Sequence, residues 1–437
     1  MGNDKLSFTD MRTLGLAALG GALEFYDFVI FVFFTKTLGH VFFPEDMPLW
    51  LSQLQVYGIF AAGYIARPVG GIVMAHFGDL LGRKKMFTLS VLLMSLPTLL
   101  IGLLPTYLQI GFFAPILLLF LRIIQGIAIG GEVPAAWVFV SEHVPSSRIG
   151  FACASLTSGL TLGILLGSLM GSAIYTLLSE SDVLSFGWRI AFIIGGVFGI
   201  FAVWLRRWLK ETPVFEAMKE SKEISKDIPL KTVLKNHKQA VATSMLLTWM
   251  LTAAIMVLIL MTPTLIQNQF GVPAPLALKG NNIASLCLVF GCLLGGYFAD
   301  KLGFLKALFL GSIILLLTNY ALYIDLKNGG ESFLFLYALT GLSVGVVGIV
   351  PAVLVSSYPS VIRFSGVSFS YNMAYALFGG LTPPFISYLS TRFGGLAPAH
   401  YVGMTVMMTL IVCAYLRKSP LKILPYHAQK ENGDHSI

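Results

Sequence analysis

The sequence predicts an all-α membrane protein, with twelve transmembrane helices in two pseudo-symmetric six-helix bundles. Three observations lead there. Charged residues make up 11% of the 437-residue chain against 56% hydrophobic, less than half the charge of a soluble domain. That excludes a soluble enzyme, a disordered chain and a secreted disulfide scaffold. Apolar runs of bilayer length, about 20 residues each, recur twelve times. Short signatures in the first half return in the second.

The runs fall at 13–36, 53–77, 86–104, 112–140, 151–178 and 187–208, then at 239–262, 281–300, 307–324, 332–357, 365–389 and 398–416. The first follows a short polar start, carries two acids and lacks a small-residue cleavage site, so it is expected to be a retained span rather than a signal peptide. Between the sets lies one long polar stretch with nine Lys/Arg from Arg206 to Lys238. The expected organisation is an N-terminal bundle (1–208), a linker at the membrane surface (209–238), a C-terminal bundle (239–416) and a tail (417–437). Cys153, Cys287, Cys292 and Cys413 all lie in apolar runs without metal-ligand spacing, and are expected to be packing residues.

Orientation follows from the basic residues. With the N-terminus inside, 22 of the 29 Lys/Arg fall in inner loops and tails, and only Lys36, Lys279, Lys327 and Arg392 in outer loops. This bias predicts both termini in the cytoplasm. It accounts for the net charge of +8 as a topology signal facing anionic lipid, with no nucleic-acid partner. The internal repeat agrees: Asp79, Gly82 and Lys85 recur as Asp300, Gly303 and Lys306, 221 residues later. Val140-Ser141 and Arg148 recur as Val355-Ser356 and Arg363, 215 residues later. Duplicated six-span halves flanking a site are the build of alternating-access carriers.

Asp79-x-x-Gly82-Arg83-Lys84 after the second span resembles the loop signature of the major facilitator superfamily. The closer resemblance is to its metabolite:proton symporter branch (proline/betaine, α-ketoglutarate, citrate and shikimate carriers). It rests on Leu23-Glu24-Phe25-Tyr26-Asp27-Phe28, Ala66-Arg67-Pro68-Val69-Gly70-Gly71, and Arg122-Ile123-Ile124-Gln125-Gly126 with Gly130-Gly131-Glu132. Gly187-Trp188-Arg189-Ile190, Glu211-Thr212-Pro213, Arg363-Phe364-Ser365-Gly366 to Tyr371-Asn372, and Phe378-Gly379-Gly380 continue it. The resemblance implies the major facilitator fold and proton-coupled uptake of a small organic solute across a bacterial cytoplasmic (inner) membrane, by a protein functional as a monomer. A facilitator or exporter on the same fold is the alternative, and a non-transporting membrane sensor the alternative of another class. Two positions depart from the signature: Leu80 replaces a charged residue, and Phe304 replaces a basic one in the second-half copy. The tail lacks the heptad extension of some osmosensing carriers.

An ionisable residue deep in a span costs about 2.5–3.5 kcal/mol on insertion scales and is a functional candidate by default. Glu24 and Asp27 are three apart, hence on one helical face. Asp27 and Arg122 fall at similar depth when counted at about 1.5 Å per residue. The expectation is a carboxylate pair beside Arg122, with Glu24, Asp27 or Glu132 carrying the proton and Arg122 the solute. Arg67 and Glu132 are expected to pair across spans two and four as an inner latch. Tyr26, Gln125, Asn372 and Tyr375 are the polar candidates for solute contact. One mid-span arginine in the cavity favours a zwitterion or monocarboxylate over a tricarboxylate. A gate is expected from Asp79, Arg83, Glu142 and Arg148 with the repeat's Asp300. Glycines at 159, 163, 167 and 171 and at 291 and 295 form small-residue stripes suited to a sliding seam between the halves or to packing within one bundle. Arg189 beside Trp188 is expected to anchor at the interface.

No enzyme is expected: the seven histidines lie in loops, tails or span ends without HExxH spacing, and no G-x-x-x-x-G-K-[ST] loop exists to cradle a phosphate. No cofactor or metal is called for.

Overall fold

A computed structural model of the chain describes residues 6–81, 83–206, 208 and 229–418. Each expected span is a helix: α1 Phe8–Phe33, α2 Leu49–Leu81, α3 Arg83–Leu103, α4 Phe113–His143, α5 Ile149–Leu177 and α6 Trp188–Arg206 in the first half. The second half has α7 Lys238–Phe270, α8 Ala274–Leu302, α9 Phe304–Lys327, α10 Phe333–Ser356, α11 (residues 363–393) and α12 Ala397–Lys418. Among the described residues, ten helical stretches are long and apolar enough to cross a membrane. The apolar part of α3 is shorter, Thr88–Leu103, and α11 is interrupted by a π segment, Tyr375–Gly379, and by Pro383-Pro384. Most of the expected linker, residues 209–228, and the tail beyond 418 lie outside the described residues.

Local chemistry sets the ends. Ser7 and Asp10 form a reciprocal capping box at the start of α1, satisfying backbone donors that have no helical partner. Gly303 breaks α8 from α9 at a φ of 87°, a conformation a side chain rarely tolerates. The surface is inverted relative to a soluble protein: Ile65, Leu317 and Ile411 are each more than 60% exposed, whereas Glu24, Asp27, Arg67, Arg122 and Glu132 are buried.

Helix pairs approach at glycines. A Cβ on Gly126 would lie 2.0 Å from the Gly63 carbonyl oxygen, and one on Gly130 2.1 Å from that of Arg67, so α2 and α4 touch backbone to backbone. The stripes behave differently from a seam. Gly159 and Gly163 face Ala18 and Ala22 of α1, and Gly167 and Gly171 face Phe33, all inside the first bundle. Gly291 faces Leu342 and Gly345, and Gly295 faces Gly345 and Ile349, inside the second. The seam uses other small residues. Gly150 and Ala154 of α5 meet Gly296 and Ala299 of α8, and Ser158 Oγ donates to the Val289 carbonyl (2.9 Å). A second junction joins α2 to α11, where Ser368 Oγ donates to the Gly71 carbonyl (2.9 Å). Small-residue spacing is the same in both settings, which is why it does not identify the partner.

Candidate functional site

Asp27 lies completely buried against α6, in space left by two glycines: a Cβ on Gly195 would lie 2.6 Å from Asp27 Oδ1 and one on Gly199 3.1 Å from Oδ2. Neither carboxylate oxygen has a hydrogen-bond partner. Thr98 stands beside it. Thr98 Oγ1 accepts a hydrogen bond from Gln125 Nε2 (2.7 Å), and Gln125 Oε1 accepts one from Arg122 Nη1 (2.8 Å). The expected carboxylate pair beside Arg122 is therefore not an ion pair. Two neutral side chains stand between cation and acid, and the hydrogen-bonded run from Arg122 stops at Thr98, whose hydroxyl donates to the Met94 carbonyl (3.0 Å); α4 presents Arg122 toward the aromatic rings of α1 and α2. Its guanidinium carbon sits 4.4–5.1 Å from the ring centres of Phe28, Phe31 and Phe60, and Nε and Nη2 have no hydrogen-bond partner. Glu24 is buried one turn from Asp27 on α1.

The second cation is Arg67. It does not pair with Glu132. Its Nε donates to Asn372 Oδ1 of α11 (3.2 Å), and its guanidinium carbon lies 4.1 Å from the ring centre of Tyr375, 5.2 Å from Tyr371 and 5.5 Å from Tyr64. Tyr64 and Tyr375 stack across the halves at 5.7 Å and 7°. Asn372 Nδ2 donates to the Gly130 carbonyl (2.6 Å). Asn372 and Tyr375 thus belong to the centre. Gln125 is engaged in the relay. Tyr26 faces away: its hydroxyl donates to the Ala191 carbonyl (2.9 Å) and its ring packs on Phe198.

Further ties between the halves lie at the face where α1 starts and α12 ends. Arg363 Nη1 meets Glu142 Oε1 at 3.1 Å with both side chains buried. The cation of this pair comes from α11, in the other half. Both Asp300 oxygens accept from the Phe151 amide at 3.2 Å, at the N-terminus of α5, where a carboxylate complements the free amides and the helix dipole. Arg148 is close enough for its charge to act on Asp300. The side chains of Asp79 and Arg83 lie outside the described residues. Arg189 stacks on Trp188 at 4.4 Å and donates to the Gly102 and Leu104 carbonyls (2.9 and 2.7 Å), closing the end of α3.

The Major Facilitator Superfamily model matches residues 14–383. The chain belongs to this superfamily. Like the family's carriers it is not an enzyme but a secondary, multi-pass membrane transporter. It is 32% identical over 415 residues (92% of this chain, 93% of the relative) to the inner membrane metabolite transport protein YhjE of Escherichia coli. Identity to the proline/betaine transporter of E. coli is 28% over 433 residues (94% and 85%). Among solved structures it resembles the proton:xylose symporter XylE bound to 6-bromo-6-deoxy-D-glucose, with TM-score 0.79 and 16% identity over 97% of this chain and 98% of that one.

For a superfamily member the residues around the named candidates are informative: Phe60, Tyr64 and Gly71 share the face of α2 that carries Arg67. With Arg67 they recur at i, i+4, i+7 and i+11, and that face is the one turned to the centre. The pair Gly195 and Gly199, four apart in the sixth run, marks the pocket of Asp27. Both signals stand in the sequence.

Proposed function

We propose that this carrier is a proton-coupled symporter taking up a small zwitterionic solute of the proline/betaine kind, with both termini cytoplasmic. Asp27 is the proton site, and the central cations Arg122 and Arg67 receive the solute's carboxylate. The observation that carries this is the carboxyl group of Asp27, fully buried without a hydrogen-bond partner, with Thr98 standing beside it as the last member of the hydrogen-bonded run from Arg122 through Gln125. An isolated buried carboxylate is costly as an anion and cheap as an acid. A solute carboxylate settling on the cations weakens their pull on that charge. Proton and solute then load together, which symport requires. Arg122, with its planar guanidinium, acts as the anchor for the carboxylate. The names of the relatives support the solute class. The ties Glu142–Arg363 and Asp300–Phe151 serve as the gate on the cytoplasmic side, which the basic bias assigns to that face.

The test is uptake of glycine betaine and proline into proteoliposomes with and without an imposed proton gradient. Gradient-driven accumulation is expected in the wild type. Asp27→Asn should lose accumulation while keeping exchange between equal pools. Accumulation by Asp27→Asn at the wild-type level would move the proton site elsewhere, with Glu24 and Glu132 the next candidates.

A further inference from the structure

We propose that Tyr64, Tyr371 and Tyr375 form the carrier's subsite for an organic cation, and that Arg67 is its resident stand-in, occupying the box when no solute is bound. This rests on the reading of the chain as a carrier of a carboxylate-bearing zwitterion. The three rings come from both halves, Tyr64 from α2 and the others from α11, and none is more than 4% exposed. Their faces surround the guanidinium at 4.1–5.5 Å, the range in which a ring quadrupole attracts a cation. Guanidinium and quaternary ammonium share the property that matters here: both spread their charge and hold water weakly. A box fitted to one therefore suits the other.

Arg67 is an incomplete occupant. It is 1% exposed, its Nη2 has no partner, and its Nε is held only by the neutral oxygen of Asn372. No carboxylate lies within ion-pair distance of it among the described residues. A buried cation without a counter-ion is strongly unfavourable, and three aromatic faces offset only part of that cost. A zwitterion supplies both missing pieces. Its cationic end replaces the guanidinium among the tyrosines, and its carboxylate becomes the counter-ion of the displaced Arg67. A plain anion would neutralise Arg67 but leave the rings to it. A plain cation would have to expel Arg67 with nothing to receive it. Selection for a molecule bearing both charges follows from one arginine held in the wrong place. Because the rings belong to opposite halves, the filled box also ties α2 to α11 around the solute.

The experiment is calorimetric titration of the purified full chain with tetramethylammonium, acetate and glycine betaine. In the wild type, glycine betaine should bind more tightly than either single-charge probe. In Arg67→Ala and Arg67→Gln the vacated box should bind tetramethylammonium roughly tenfold more tightly than the wild type does, and glycine betaine should lose its advantage. Tyr375→Leu should weaken glycine betaine and leave acetate unchanged, which carries the test even if the Arg67 variants fail to fold. Folded Arg67 variants with unchanged tetramethylammonium affinity would overturn the proposal, as would equal losses of acetate and glycine betaine in Tyr375→Leu. Gained tetramethylammonium binding in the Arg67 variants, together with no gradient-driven uptake by the wild type, would sustain the box and sink the symport reading instead.

Discussion

The two halves share an architecture and differ in where they are irregular. Among the described residues, the first half holds the buried mid-span acids Glu24, Asp27 and Glu132, on helices that stay α-helical through their middles. The second half holds no mid-span charge, and three of its helices change winding in mid-course. These are α7 at Ala254–Met261, α10 at Gly345–Ile349 and α11 at Tyr375–Gly379. Altered winding leaves carbonyls without their usual helical donor, and side chains answer. The Leu258 carbonyl accepts from Tyr337 (2.9 Å) and the Val257 carbonyl from Thr262 Oγ1 (2.7 Å). The difference points to a first half that keeps its charges in fixed geometry and a second that bends around them.

The strongest way to break this comparison is to remove the second half's buried charge. Arg363→Ala removes the buried cation that Glu142 meets and should cost about 3–5 kcal/mol of the closed arrangement. Cys153, a buried free thiol beside the tie, should then react with a maleimide, read by mass spectrometry; an unreactive Cys153 would show that the tie does not hold the face shut. Next comes the fixed pocket. A Cβ on Gly199 would lie 1.9 Å from Ser95 Oγ, and overpacking of this kind costs about 1–3 kcal/mol. Gly199→Ala should therefore lower the thermal midpoint and stop uptake, whereas free accommodation would mean that the first half yields as the second does. Tyr337→Phe sharpens the other side. It removes the donor to both Leu258 and Asn281 Oδ1, a loss of about 1 kcal/mol in a membrane bundle, and should change turnover more than solute affinity. Unaltered turnover would deny the π segment of α7 a part in the motion.

The smallest effect lies outside the spans. Burial lowers the proton affinity of His237 from its ordinary value of 6.5, so the folded chain takes up this proton less readily than the unfolded one. Its contribution is present above that value and fades as pH falls below it. His237→Gln should flatten the decline of the thermal midpoint below pH 6.5 slightly; a steeper decline would reverse the sign of this assignment.

Hydropathy placed the helices because a bilayer demands length and apolarity from each span separately. The buried acids were equally legible, since nothing in an apolar run excuses Asp27 except use. Partnership was not. Arg67 sits one helical face from Asn372 and another from Glu132, and a helix read alone gives its faces but not its neighbours. The same holds for the stripe from Gly159 to Gly171, whose spacing fits α1 as well as α8. The choice depends on how twelve cylinders stand around one another, which no single run encodes.

The seam of α5 and α8 deserves a mechanical view. Where Gly150 and Ala154 meet Gly296 and Ala299, the touching surfaces are backbone and methyl groups, without rotamers to flip or long side chains to disengage. Such a joint can roll at little cost. The resistance to tilting then resides in the few polar fastenings along it: Asp300 on the Phe151 amide, Ser158 on the Val289 carbonyl and Ser168 on Asn282 (2.6 Å). Turnover rate would be set by the number of these fastenings rather than by the area in contact, so one hydroxyl more or less would change the carrier's speed without changing its fold.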